Sequence, residues 1–199
     1  MKPLALLATG MMTGVGLSAP ASCAAIRCGL NNFAETRFMD SGGEWLVGSS
    51  VPLEKPWRGR AKLVHLVVPA IRECLDFAKS VPPEQIAFFL CTAEKDRPGR
   101  LEGVDEQMLS EVQDALGVRF HPKSAVIANG RVGGVEAIQK AWPAVYRENL
   151  PGCIVAGSDT YLVAGTLSEL ERQDRLLTAN NSNGFIPGEA GAAILLGPE

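Results

Sequence analysis

Residues Ser124 to Ala141 read SAVIANGRVGGVEAIQKA. The first five make a short apolar strand, Asn129 and Gly130 open a sharp turn, and the rest begins a helix whose first residues are small and apolar. In many α/β enzymes a turn of this shape, from strand into helix, presents a nucleophile. Here the tip is Arg131, with Gly133 and Gly134 behind it. A guanidinium stays protonated at any working pH and cannot attack a carbonyl, so the turn must serve another purpose.

The rest of the chain limits what that purpose is. A length of 199 residues with 46% hydrophobic and 21% charged residues is enough for one sizeable core and excludes a disordered or fibrous chain. The formal net charge is -3, and no block of lysine or arginine supplies the clustered cations that phosphate neutralisation needs; nucleic acid is not an expected partner. The five cysteines, Cys23, Cys28, Cys74, Cys91 and Cys153, are odd in number and lack CxxC spacing, and only His65 and His121 accompany them. Neither a zinc site nor a disulfide framework is expected, and no cofactor.

Two readings of the N-terminus compete. Lys2, the apolar run Leu4 to Leu17 and the small residues Ala19 to Ala25 imitate a secretory signal, although one cation precedes the run and three glycines interrupt it. The other reading is a buried strand from Leu4 to Ala8, a turn from Thr13 to Leu17 and a small-residue helix from Ala21 to Leu30. No stretch is long and apolar enough for a membrane-spanning helix, and a cytoplasmic location is expected.

Further along, Glu44 to Leu53 reads as a strand after a Gly-rich loop. Arg60 to Lys79 reads as a long helix with apolar residues at spacings of three and four, kinked by Pro69, with His65 packed on or beside the buried face. The continuous apolar run Ile86 to Thr92 suits a fully buried parallel strand. Glu94 to Arg100 reads as a solvated charged loop, and Leu101 to Gly117 as an amphipathic helix ended by its glycine. Gly152 to Ser158 is a second buried strand, Val163 to Arg172 a short helix, Leu176 to Gly184 a polar turn region and Ala190 to Leu196 a closing strand. Strands alternate with helices, so the class is α/β with a mixed, mostly parallel sheet and helices on both faces.

Three segments together carry a resemblance to the N-terminal half of a β-ketoacyl synthase (3-oxoacyl-ACP synthase), a condensing enzyme of the thiolase-like fold. Ala8 to Pro20 resembles the opening strand and loop of that family. Ile154 to Asp159 is similar to its Ala-Gly-Gly strand ending in an acid. Asn181 to Leu196, NSNGFIPGEAGAAILL, resembles its Asp-Gly-Phe and Gly-Glu-Gly-Ala-Gly pattern, with Asn183 and Ala190 as departures. The resemblance decides for the strand and helix reading at the N-terminus. It implies that residues 1–199 are one half of a two-half fold whose C-terminal half, the source of two further catalytic side chains, is absent.

Counting back from Ala156 without a gap, the family's nucleophilic cysteine falls on Arg131, while Gly130 and Gly133 keep the small flanks. The resemblance therefore implies an elbow kept and a thiol lost. It makes Asp159, Gly188 and Glu189 structural elements of the motif, with Glu189 holding backbone groups. Gly14, Gly16, Gly157, Gly184 and Gly191 serve turns and close packing and form no phosphate-binding pattern. Cys91 and Cys153 read as small buried hydrophobes. The functional expectation is a non-condensing partner or scaffold subunit, and the alternative is a fragment or divergent member of an acyltransferase of fatty-acid or polyketide biosynthesis. The expected partners are a second copy or another condensing-enzyme-like chain, with an acyl carrier protein as a further candidate and no membrane. Pairing is expected through the helix after the turn and through Gly152 to Ser158, taken as an edge strand.

Overall fold

The computed structural model of the chain describes residues 2–199. One five-stranded sheet organises it, built from β1 (Leu4–Met12), β4 (Ile86–Cys91), β5 (Ala125–Ile127), β6 (Gly152–Thr160) and β7 (Glu189–Pro198) in the order β1-β7-β6-β4-β5. β4 runs parallel to both β5 and β6, while β7 is antiparallel to its neighbours β1 and β6. Four of the five strands thus point one way and β7 opposes them. A separate two-stranded ribbon joins β2 (Phe33–Met39) to β3 (Trp45–Ser49).

Alternation along the strands explains why the central ones read as unbroken apolar runs. In β4, Ile86, Phe88 and Leu90 face one side, together with Ile154 and Ala156 of β6, and pack under α2 (Gly59–Phe77). Ala87 and Phe89, with Cys153 and Val155, face the other side under α4 (Gly133–Tyr146). Both faces are buried, so period two is hidden from a one-dimensional reading. α1 (Ala19–Arg27) starts at Ser18, whose side chain accepts the Ala21 N–H, and Glu73 of α2 accepts the N–H groups of Met11 and Ala19. α3 (Met108–Leu116) ends at Gly117 in the left-handed region, and α5 (Ala164–Arg172) packs Leu167 beneath the ribbon with Leu46 and Leu176.

Two expectations change, and one strand had none. The helix expected over residues 101–117 begins at Met108; the residues before it form turns tied by Arg60, which donates to the Glu102 carbonyl, Gln107 and Glu111. β2 carries little sequence signal because its burial alternates only from Glu35 to Met39, with Thr36 and Phe38 half-buried, while the apolar Phe33, Ala34 and Met39 fall at exposed positions. Pro69 is accommodated inside α2. Above all, Gly152 to Ser158 is no edge: β6 lies between β7 and β4, and the edges are β1 and β5. A lysine at Val155, 6% exposed, would be buried beneath α4 and would break the core instead of reporting on an interface.

Candidate functional site

The quoted turn stands at the C-terminal end of β5, beside the end of β4, where open α/β sheets place their ligand sites. Its geometry comes from three backbone bonds: Thr92 N–H donates to the Ile127 carbonyl at 3.0 Å, Gly130 N–H to the Thr92 carbonyl at 3.1 Å, and Val132 N–H to the Asn129 carbonyl at 3.2 Å. Gly130 has φ +50, which favours glycine; a Cβ there would also stand 2.3 Å from Glu94 Oε2, a contact that the flexible Glu94 side chain can relieve. Residues 130–132 form one 3-10 turn that passes directly into α4, and no side chain caps it. Asn129 instead donates to Glu136 in the first turn of the helix.

A cleft of about 280 Å³ opens beside this turn, lined by Cys91, Thr92, Arg97, Arg131, Tyr161 and small residues of β6 and β7. Arg131 is exposed at its rim. Behind it, Arg97 is 6% exposed and is held by two carboxylates: Nη2 donates to Glu94 Oε2 at 2.7 Å and Nη1 to Asp159 Oδ1 at 2.7 Å. The Arg97 guanidinium also lies 4.8 Å from the centre of the Tyr161 ring. This corrects the reading of residues 94–100 as a solvated loop. Arg97 turns inward and pins that loop to the end of β6, so Asp159 is a fixed partner of Arg97.

The electrostatics follow from counting charges. Glu94 and Asp159 share one cation in Arg97, and Arg131 supplies the second, so the cluster closes near neutrality. Burial works against the Arg97 charge, but the bonds to Glu94 and Asp159 outweigh it and hold its pKa above the ordinary value. The bond to Arg97 likewise holds Glu94 below the usual carboxylate range, with Arg131 adding to the effect. The Tyr161 hydroxyl beside Arg131, followed by Glu94, keeps that guanidinium firmly protonated. A positive side chain on a helix N-terminus is ordinarily unfavourable; Glu94, which is bonded to Arg97, offsets it only from a distance.

One thiol lines this cleft. Cys91 lies under the turn, yet burial, with a contribution from Glu136, pushes its thiol up to about 11. Cys153 is pushed up to about 12 by burial in the core. Neither histidine lines the cleft. His65 stacks on Trp57 with ring centroids 3.9 Å apart, and His121 sits near the opposite end of β4, where its N–H donates to the Ile86 carbonyl. At pH 8, with roughly one Cys91 thiol in a thousand ionised, iodoacetamide is expected to label the exposed Cys23 and Cys28 well before Cys91 in the folded protein. Peptide mapping by mass spectrometry checks this; equal labelling of Cys91 would show an activated thiol.

Glu189 lies away from this chemistry, with its side chain fully buried. It accepts the Val51 N–H at 3.1 Å and the Thr160 hydroxyl at 2.8 Å, and pairs with Lys62 Nζ at 2.6 Å. Gly188 accepts the Tyr161 N–H on its carbonyl, next to this bond network. Gly133 is buried where α4 leaves the turn. Among the described residues no three His, Cys, Asp or Glu side chains converge as a metal site would require, and no helix is long and apolar enough to cross a membrane. Sequence reasoning missed Glu94, Arg97 and Tyr161 as a group. The available signal was an arginine placed just past a buried strand's C-terminal end.

A mixed five-stranded sheet with one opposed strand, a helix on each face and a strand-to-helix elbow at the strand ends is the ketosynthase, or thiolase-like, fold. Solved structures agree. A chain from a type II polyketide acyl-carrier protein in complex with its ketosynthase, bound to the hexaketide, superposes with TM-score 0.75 at 12% identity over 99% of this chain and 58% of that one. The ishigamide ketosynthase/chain length factor gives 0.65 at 14% identity, over 98% of this chain and 62% of that one. A β-ketoacyl synthase from Burkholderia phymatum gives 0.68 at 14%, over 100% and 60%. At such identities the likeness is one of fold, and the chain spans about three fifths of the length of these relatives. No protein-family model and no curated protein sequence matches the chain.

Proposed function

We propose that the chain is a non-condensing ketosynthase-fold protein, a partner or scaffold subunit for another condensing-enzyme-like chain. The observation that carries the reading is Arg131, exposed at the tip of the turn on the rim of a cleft that Cys91 and Tyr161 also line. Condensation begins when a thiolate accepts an acyl group, and the helix N-terminus and neighbouring histidines make that thiolate available. Here the tip bears a cation, the cysteine beneath it is held protonated, and neither histidine reaches the cleft.

On this reading residues 1–199 form one half of a two-half fold, and the second half comes from a separate polypeptide or a further stretch of chain. An acyl carrier protein is a natural additional partner, since one is described with a ketosynthase of this fold and a chain length factor is described with another. A divergent or partial acyltransferase of fatty-acid or polyketide biosynthesis is the second reading. It is favoured by one feature, the position of Cys91 in the cleft.

Arg131→Cys tests the first reading. The variant keeps the elbow but leaves Glu94 and Asp159 with Arg97 alone, and it gains no base. The expected result is a folded protein by circular dichroism that forms no ketoacyl product from acyl- and malonyl-carrier thioesters. Product from this single substitution would overturn the reading.

A further inference from the structure

The chain holds two Asn-Gly pairs, Asn129-Gly130 and Asn183-Gly184. In such a pair the glycine nitrogen, shielded by no side chain, attacks the side-chain carbonyl carbon of the asparagine wherever the backbone lets the two atoms meet. The fold treats the two pairs in opposite ways. Asn129 is clamped: its carbonyl accepts the Val132 N–H at 3.2 Å, its side-chain amide donates to Glu136, and the attacking nitrogen, that of Gly130, donates to the Thr92 carbonyl at 3.1 Å. Bringing that nitrogen over its own neighbour's side chain means turning the peptide between them, and the bond to Thr92 must break first.

Asn183 carries none of these restraints. It is exposed, and its side-chain amide meets no hydrogen-bond partner among the described residues. Residues 182–184 make no backbone-to-backbone hydrogen bond and are slung between Asn181, tied to Thr178, and Phe185, tied to Arg175 and Leu177. The Gly184 N–H, the attacking group, is therefore unheld. Asn181 beside it is occupied, since its amide donates to the Asp174 and Leu176 carbonyls and its Oδ1 accepts the Asn183 N–H. A larger residue at 184 would slow the attack, but the fold admits only glycine there: an added Cβ would stand 2.0 Å from the Leu176 carbonyl oxygen.

We propose that Asn183 is a site of spontaneous covalent modification in the folded protein, with water as the only co-reactant. The Gly184 nitrogen bonds to Asn183 Cγ, the Cγ–Nδ2 bond breaks, and ammonia leaves carrying the proton lost by Gly184. Water then opens the cyclic imide at one carbonyl or the other and leaves aspartate or isoaspartate, with no change of oxidation state. Either product adds a negative charge to the turn before Phe185. The aspartate product also places an acid where the Asp-Gly-Phe pattern has one, so the departure at Asn183 is one that the chain's own chemistry removes. The inference goes beyond the partner reading and is independent of it.

Peptide mapping of the full chain during incubation at mildly alkaline pH tests this, with fragment ions separating Asn183 from Asn180 and Asn181. In the folded protein the mass gain of an amide turned to an acid is expected at Asn183 on the order of tenfold or more faster than at Asn129, because the Asn129 pair must first release its bonds to Glu136 and Thr92. In urea, where those bonds are gone, the two pairs should convert at similar rates. Equal rates at the two sites in the folded chain would overturn the proposal. So would an Asn183 that stays intact in the folded chain while the urea-unfolded chain converts, since the turn would then be a clamp like the other. Neither result bears on whether the chain accepts an acyl group.

Discussion

Glu189→Ala is expected to destabilise the fold by about 3–5 kcal/mol, read from urea unfolding followed by circular dichroism. The carboxylate is fully buried and serves three partners on three segments: the Val51 N–H after β3, the Thr160 hydroxyl at the end of β6 and the ammonium of Lys62 in α2. Alanine would leave a charge and two polar groups without acceptors where little water reaches, and breaking one side of such a pair costs more than the pair itself contributes. Glu189→Gln should recover part of the loss, because an amide oxygen still accepts from Val51 or Thr160 while Lys62 remains unanswered. A loss below about 1 kcal/mol for the alanine variant would show that the network does not hold β7 to α2.

The second large effect belongs to Gly191→Ala. At this point of β7 the sheet touches α2 backbone to backbone: an added Cβ would stand 2.0 Å from the Leu66 carbonyl oxygen and 2.4 Å from its carbon. Gly10, one strand over, meets the Ala70 carbonyl in the same way, at 1.9 Å. Carbonyls inside a helix cannot rotate away, so α2 must lift from the sheet and loosen Leu66, Val67 and Ile71, all fully buried. The expected cost is about 3 kcal/mol or more, seen as a lowered urea midpoint with unchanged slope. A midpoint equal to wild type would mean that the close approach of α2 to β7 is not there.

These two positions also show where the sequence was informative. Gly191 and Glu189 stand in the segment whose pattern pointed to the ketosynthase fold, and the structure shows what each position demands: one residue admits no side chain and the other ties three segments together from the core. β4 and β6 were readable because burial on both faces makes them continuous apolar runs. β2 was not, since its apolar residues Phe33, Ala34 and Met39 sit at exposed positions and hydropathy does not follow its burial. Placing β6 at an edge failed because strand order is set by crossovers, and a central and an edge strand of a buried parallel sheet look alike in one dimension.

The candidate site divides the same way. Arg131 at the tip of the turn could be located by counting along the chain, and the structure places it on the rim of a cleft at the strand ends. The Glu94, Arg97, Asp159 and Tyr161 cluster could not, because its members come from two loops 62 residues apart and meet only when β4 and β6 lie side by side. A loop rich in charges looks solvated until one of its arginines proves to be buried.

Intact-mass analysis of the wild-type chain after incubation with an acyl-carrier thioester tests the central claim most directly. Arg131 cannot form a thioester, and Cys91 and Cys153, with thiols pushed up to about 11 and about 12, are protonated at neutral pH. The account predicts an unchanged mass at times when a condensing enzyme under the same conditions is fully acylated. A stable added acyl group that peptide mapping places on Cys91 would contradict it.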